Sequence, residues 1–414
     1  MYHEEHADII VVGAGTIGAS TALHLLEEGA KDVVLIDKDP PGLGTSNAGA
    51  GFVGPLAVGW AEGWGEPELA VEYYGMDFYE KLAESHDIDF RRSGHLYVAR
   101  DHNAWDQLRG FVESDGVPDR RVVEPNEITR LTEGLVDGRH LFRGLLQPSA
   151  VQLSAGKGAR ALAAEFVRRG GRLEARRPVT GLLLDGNQLI GVETARGPIR
   201  ATQVAFAAGA WTNQLVQPHT FIPQTPLVLS RMITEPLGVP PTIPAMNFAG
   251  YSDDGRGILW IREDSGRLNW GMSYTSHPSD VFVDEPVTDR FDHLPLDGVF
   301  EVRRAARRLV EAVPRLLTES YSVTHGAPCL TADSRALIGK LSDLQGAYVV
   351  GGCNGVGVQH GPGWGKVAAE LIMRGRSTLA DASVWEPNRF GDQYKSAREV
   401  HDDLVPSRRP VKHI

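Results

Sequence analysis

The chain has 414 residues, 42% hydrophobic and 23% charged, which excludes wholesale disorder and leaves room for two domains. With 42 basic against 53 acidic residues the net charge is −11, which argues against nonspecific binding to nucleic acid or to an anionic membrane. Two cysteines, Cys329 and Cys353, cannot build a disulfide framework. The start Met1-Tyr2-His3-Glu4-Glu5 lacks the regions of a signal peptide, no apolar run reaches the ~20 residues that span a bilayer, and a cytoplasmic location is expected.

In chain order, Ile9-Ile10-Val11-Val12 reads as an apolar strand. Gly13-Ala14-Gly15-Thr16-Ile17-Gly18 follows, then a helix closing at Gly29, a second apolar strand and Asp37. Residues 40–51 hold too many glycines and small residues for a regular element, so they form a loop whose backbone lies close to something. Helical spacing appears over 68–85 and strand alternation over 93–99. An Ala-rich amphipathic helix spans 153–169 and stops at Gly170-Gly171. Short strands at 178–184 and 189–194, joined by Asp185-Gly186-Asn187, lead into a third at 199–207 that ends in Ala208-Gly209-Ala210-Trp211. Residues 224–275 read as a second group of strands with prolines at their borders. A helix at 300–313 turns Val302, Ala306, Leu309 and Val313 one way and Arg303, Arg304, Arg307 and Arg308 the other, as a solvated face. Gly351-Gly352-Cys353-Asn354-Gly355-Val356-Gly357-Val358 then follows a strand and opens a helix, and the basic end 406–414 is a surface tail.

The first glycine stretch supplies the parts of a dinucleotide site: backbone that approaches a pyrophosphate, a helix N-terminus aimed at its charge, and an acid for a ribose hydroxyl. Alone it leaves NAD and FAD open. The second stretch favours FAD, because backbone without obstructing Cβ atoms, returning from far along the chain, suits a broad, flat ring system.

Further motifs stand in order: Thr45-Ser46-Asn47-Ala48-Gly49, Gly94-His95-Leu96, Ala207-Ala208-Gly209-Ala210-Trp211, and Thr331-Ala332-Asp333-Ser334-Arg335-Ala336-Leu337-Ile338-Gly339. With the two glycine stretches, they make nearly the whole chain similar to the FAD-dependent D-amino-acid oxidase superfamily, which includes glycine oxidase, sarcosine oxidase and dimethylglycine dehydrogenase. The resemblance implies an α/β fold with an α+β insert. A Rossmann-type FAD-binding domain would be assembled from segments 1–85, 150–215 and 325–385, a mixed, largely antiparallel substrate domain from 86–149 and 216–324, and a C-terminal tail from 386–414.

It also implies residue roles. Gly13, Gly15, Thr16, Ile17 and Gly18 would lie on the pyrophosphate, Asp37 and Lys38 at the ribose, Thr45, Ser46 and Asn47 toward the phosphates, and Val179 on the adenine. Gly209 would sit on the ring or phosphate side, with Gly352, Asn354, Gly355, Val356, Gly357 and Val358 at the flavin pyrimidine. His325, before Gly326-Ala327-Pro328, is either a pocket residue or a structural histidine, and Tyr251 and Tyr274 are cavity or core aromatics. A cysteine near Cys329 holds the flavin in sarcosine oxidase, but the spacing from Cys329 to Asp333 differs here, and noncovalent FAD is expected. The implied chemistry is oxidation of a C–N bond in a small amine, amino acid or N-alkyl amino acid by hydride transfer to flavin, giving an imine that hydrolyses. Oxygen or another carrier would take the electrons. No metal is implied, and oligomeric state is left open.

The family's substrate-carboxylate anchors are missing: Ala327-Pro328-Cys329 has no base, and Gln359 stands where sarcosine oxidase has a lysine. Arg262 is therefore the first candidate cation and Arg231 the second, the alternative being that Arg262 pairs with Glu263 or Asp264. A nicotinamide-dependent dehydrogenase, a flavin-binding subunit of a larger complex and a plain amine oxidase are the rival functions.

Overall fold

The computed structural model describes residues 5–55, 65–113, 119–251, 258–272, 280–291, 297–317 and 320–404. Two eight-stranded sheets organise them. In the first, Glu5–Val12 lies between Val33–Ile36 and Ile199–Phe206, and the parallel run extends to Arg172–Glu174 on one side and Ala347–Gly351 on the other. Ile9 to Val12 are buried on both faces, which is why this strand reads as an unbroken apolar run. Ile9, Val11, Val33 and Leu35 pack under the helices Thr16–Glu27, Ala155–Arg168 and Gly357–Arg374. Ile10, Val12, Val34 and Ile36 face Leu189 and Val192 of the antiparallel meander Val179–Asp185 and Gln188–Thr194.

The second sheet runs in the order Tyr321–Gly326, Leu229–Thr234, Arg267–Met272, Leu259–Asp264, Ala245–Ala249, His95–Ala99, Arg143–Gln147, Arg121–Val123. Only the Ala245–Ala249 and His95–Ala99 pair is parallel among the described residues, so the sheet is mixed and largely antiparallel. Met232, Phe248, Ile261 and Trp270 pack on Val302, Ala306 and Leu309 of the helix Asp297–Leu309, leaving the alternate residues to face the first sheet's side. This helix ends four residues before the expected 313, since Pro314 drives Val313 out of the helical region (φ −131°, ψ 77°). The helix expected at 68–85 instead spans Glu66–Ala83, because Pro67 fits a first turn and Glu68 Oε2 accepts from Gly65 N at 3.0 Å.

A close helix crossing positions the site. A Cβ on Gly361 would meet Thr16 Cγ2 at 2.8 Å, and one on Gly365 would meet Ser20 Oγ at 2.3 Å. Small residues every fourth position therefore let Gly357–Arg374 lie against Thr16–Glu27 with both N-termini at one place. The stretch from 386, expected as a tail, packs back on the body as far as Leu404: Val400 and Leu404 are fully buried, Leu404 against Leu227 and Leu330. Among the described residues no helix is long and apolar enough to cross a membrane.

Candidate functional site

One continuous cavity of about 940 Å³ lies between the two sheets. Its floor begins where Glu5–Val12 ends. Gly13 has φ +108° and a Cβ there would meet Ala207 O at 2.5 Å; a Cβ on Gly18 would meet Gly13 O at 1.8 Å. Gly13 and Gly18 are thus required for strand-to-helix packing, and Gly18 does not line the cavity, which corrects its expected pyrophosphate contact. Gly15 does line it, with Ser46 Oγ 3.0 Å from where its Cβ would be.

The helix Thr16–Glu27 has no side-chain cap and no acid in its first turn, so its N–H groups and positive dipole end are available to an anion. Thr16 N is the exception, donating to Ser46 Oγ at 2.9 Å. The Thr16 hydroxyl is buried without a partner among the described residues. Asp37 Oδ2 accepts from Ala14 N at 2.6 Å and Oδ1 from Asp39 N at 2.8 Å; each oxygen keeps acceptor capacity for a hydroxyl. Burial raises its pKa against the opposing pull of those N–H groups.

The second helix, Gly357–Arg374, also starts without a side-chain cap or an acid in its first turn. Its turn is set from afar: Gln224 Nε2 donates to Gly209 O at 3.0 Å and its Oε1 accepts from Gly352 N at 2.8 Å. Gln224, fully buried, so joins the two glycine turns on this side, and no spacing rule marks it in the sequence. Gly209 has φ +55° with nothing within 4 Å of a Cβ, leaving its backbone open to the cavity. Val179, Lys38, Asn47, Ile17, Gly352, Gly355, Gly357 and Val358 also line it. Asn354 and Val356 do not. Asn354 (φ +48°) donates to Gly352 O at 2.6 Å and accepts from Thr331 N at 3.1 Å, so it shapes the turn, and Val356 is buried in the core below the helix start. Thr45 borders the cavity, and its hydroxyl accepts from Ala327 N at 3.0 Å, tying the loop to the strand end beyond His325.

Toward the second sheet the wall changes to side chains. His325 Nδ1 and Ser230 Oγ lie 2.8 Å apart across paired strands. Arg231 projects from the same strand as Ser230, and its guanidinium donates to the carbonyls of Gly49, at 3.3 Å, and Asn47. No carboxylate pairs with Arg231 among the described residues. Burial, then the nearby Arg262, lower its pKa to about 10, so it remains a cation at neutral pH. Trp260, Asn247 and Gln359 complete this end; Gln359 is 2% exposed and both its amide atoms lack partners among the described residues.

Arg262 stands outside the cavity lining. It is fully buried, its Nη2 3.0 Å from Asp264 Oδ2 and its Nη1 donating to Glu263 O at 3.0 Å, so the expectation that it faces substrate gives way to a buried ion pair. Tyr251 is likewise a core residue. It packs edge-on against Phe248 under Arg100, and burial pushes its phenol pKa up. Tyr274 lies outside the described residues.

The family model for FAD dependent oxidoreductases (DAO) matches residues 8–371. The chain belongs to that family. FAD is its cofactor, and the uncapped helix ends, the open Gly209 backbone and the orphaned Thr16 hydroxyl fit such a group. The chain is 28% identical over 413 residues to a 4-methylaminobutanoate oxidase (formaldehyde-forming) of Paenarthrobacter nicotinovorans, covering 93% of this chain and 46% of that protein. It is 26% identical over 389 residues to a glycine oxidase of Pseudomonas aeruginosa, covering 92% and 98%. The chain thus spans about half the length of the first relative and nearly all of the second. Among solved structures, L-proline dehydrogenase from P. horikoshii superposes with a TM-score of 0.77 at 23% identity, over 94% of this chain and 98% of that one, a likeness of fold.

Proposed function

We propose that this FAD dependent oxidoreductase oxidises a C–N bond of a small amine bearing a carboxylate, an amino acid or N-alkyl amino acid. The observation that carries the reading is Arg231, a buried guanidinium in the cavity wall that, among the described residues, donates to carbonyl oxygens and pairs with no carboxylate. A guanidinium desolvated in this way is strongly favoured by a carboxylate from outside, which it can grip in bidentate fashion. Names among the relatives support the class: 4-methylaminobutanoate and glycine each join an amine to a carboxylate.

FAD, when bound, would supply the acceptor for a hydride from the substrate carbon next to nitrogen. The nitrogen lone pair becomes the C=N bond as that C–H bond breaks, and water then splits the imine into an amine and a carbonyl compound. The nitrogen must first lose a proton, and His325, steadied by Ser230, is the group assigned to take it. Trp260 shields this end from water, and Gln359 offers an amide to the substrate's polar atoms. The backbone of Gly13, Gly15 and Ile17 and the Asp37 carboxylate would hold the dinucleotide, and Gly352, Gly355, Gly357 and Val358 would serve the ring end. The extents 1–85, 150–215 and 325–385 remain our proposal for the cofactor domain, and 86–149 with 216–324 for the substrate domain.

The test is an anaerobic titration of holoenzyme with 4-methylaminobutanoate, glycine, N-methylglycine and matched amines that lack a carboxylate. Rapid bleaching of the flavin by a carboxylated amine and slow bleaching by its matched amine supports the reading. Equal bleaching by both would make the protein a plain amine oxidase, and bleaching by none would point to a flavin-binding subunit.

A further inference from the structure

A segment from the second half of the chain crosses the end of the cavity marked by Asp37. Val287, Asp289, Arg290 and Phe291 line the same cavity as Asp37 and Lys38, although no fingerprint glycine or family motif lies among them. Their attachments all reach elements of the cofactor floor. Gln214 Nε2 donates to Val287 O and Trp211 Nε1 to Thr288 O, each at 3.2 Å. Lys38 Nζ donates to Asp289 O at 3.0 Å and to its Oδ1 at 2.9 Å, while lying 4.5 Å over the Trp211 ring. Phe291 stacks on Trp211 with centroids 5.4 Å apart and planes at 25°. The Trp211 ring also touches the glycine loop, its Cζ3 3.6 Å from where a Gly44 Cβ would be. Trp211 therefore touches both the loop that lines the cavity floor and the strap.

The geometry points to a cofactor latch: the strap from Val287 to Phe291 covers the adenosine side of the FAD cavity, and its hold on Lys38 and Trp211 sets how fast FAD leaves. A dinucleotide lying along the floor from Gly15 to Asp37 would have this strap beside its Asp37 end. Two attachments contribute differently. The Lys38–Asp289 pair is exposed, Asp289 at 90%, and is screened by salt; the Phe291–Trp211 stack and the burial of Val287 with Phe282 and Cys329 are not. This inference concerns cofactor retention and stands apart from the substrate reading.

The experiment follows flavin fluorescence as FAD dissociates from diluted holoenzyme, in wild type, Asp289→Ala, Asp289→Glu and Phe291→Ala, with thermal melting of each. Phe291→Ala is expected to release FAD about tenfold faster. Asp289→Ala should release it up to about fivefold faster, and Asp289→Glu should restore the wild-type rate. Raising salt should speed release from wild type and leave Asp289→Ala unchanged, a response that general loosening of the fold does not give. Unchanged release from folded Phe291→Ala overturns the latch. If that variant does not fold, a salt-independent wild-type rate overturns it instead. Yellow colour that stays with acid-precipitated protein also overturns it, since a covalent bond would then retain the cofactor.

Discussion

At the Asp37 end of the cavity a ligand meets mostly backbone: the N–H groups of an uncapped helix, glycine turns without Cβ atoms, and a carboxylate held by two amides. At the Arg231 end it meets side chains, a guanidinium, an imidazole, an indole and an amide, carried by four different segments of the chain. The first end binds by what has been removed from the sequence, the second by what has been added. A backbone site tolerates almost any neighbour yet fails with a single added carbon; a side-chain site fails by degrees.

The largest effect should come from breaking the backbone end. Gly15→Val places a branched side chain where the cavity and Ser46 Oγ already meet, so FAD should be absent from the purified protein while its far-UV dichroism is kept. Gly18→Val is the contrast, because its Cβ collides with Gly13 O and the helix itself must shift; that variant should lose stability as well as flavin. Full flavin content in Gly15→Val would show that the dinucleotide lies elsewhere.

The same contrast explains what could be foreseen. Gly13, Gly15 and Asp37 are legible because a strand, a turn and a helix fix their spacing locally, and strands such as Ile9 to Val12 follow from their apolar runs. Ser230 and His325 meet only through a register 95 residues apart, and Gln224 reaches Gly352 across 128. Arg231 and Arg262 looked alike as arginines on neighbouring strands. What separates them is their surroundings: Arg231 pairs with Gly271 and lines the cavity, donating to the carbonyls of Asn47 and Gly49, whereas Arg262 pairs with Asn269 and has Asp264 beside it. Pairing of that kind has no local signature.

Next in size, Arg262→Ala should cost about 3–5 kcal/mol of stability, because it leaves Asp264 without its cation. Thermal melting measures the loss, and KM should stay near the wild-type value in whatever fraction folds. A raised KM with unchanged melting would return Arg262 to the substrate site. Arg231→Gln should do the reverse. It should raise KM for a carboxylated amine by an amount equivalent to roughly 2–4 kcal/mol, with little change for the matched amine that has no carboxylate. An equal effect on both substrates would mean that Arg231 serves only to hold Asn47 and Gly49, the loop beneath it.

The smallest effect is the most discriminating, because it should move stability and function in opposite directions. Gln359 keeps an amide buried in the cavity wall with neither its oxygen nor its nitrogen satisfied by the described residues. A buried polar group without a partner costs about 1–3 kcal/mol, while an apolar side chain of similar shape in its place costs little. Gln359→Met keeps the length and removes the amide, so the ligand-free holoenzyme should melt at a higher temperature than wild type. If the amide is there to meet substrate, the same variant should bind that substrate about fivefold more weakly, the worth of one net hydrogen bond. A purely structural glutamine would instead lower stability when removed and leave KM alone. A site that carries an unsatisfied group while empty is built for its ligand at the expense of its fold, and at the Arg231 end Gln359 is where that trade can be read.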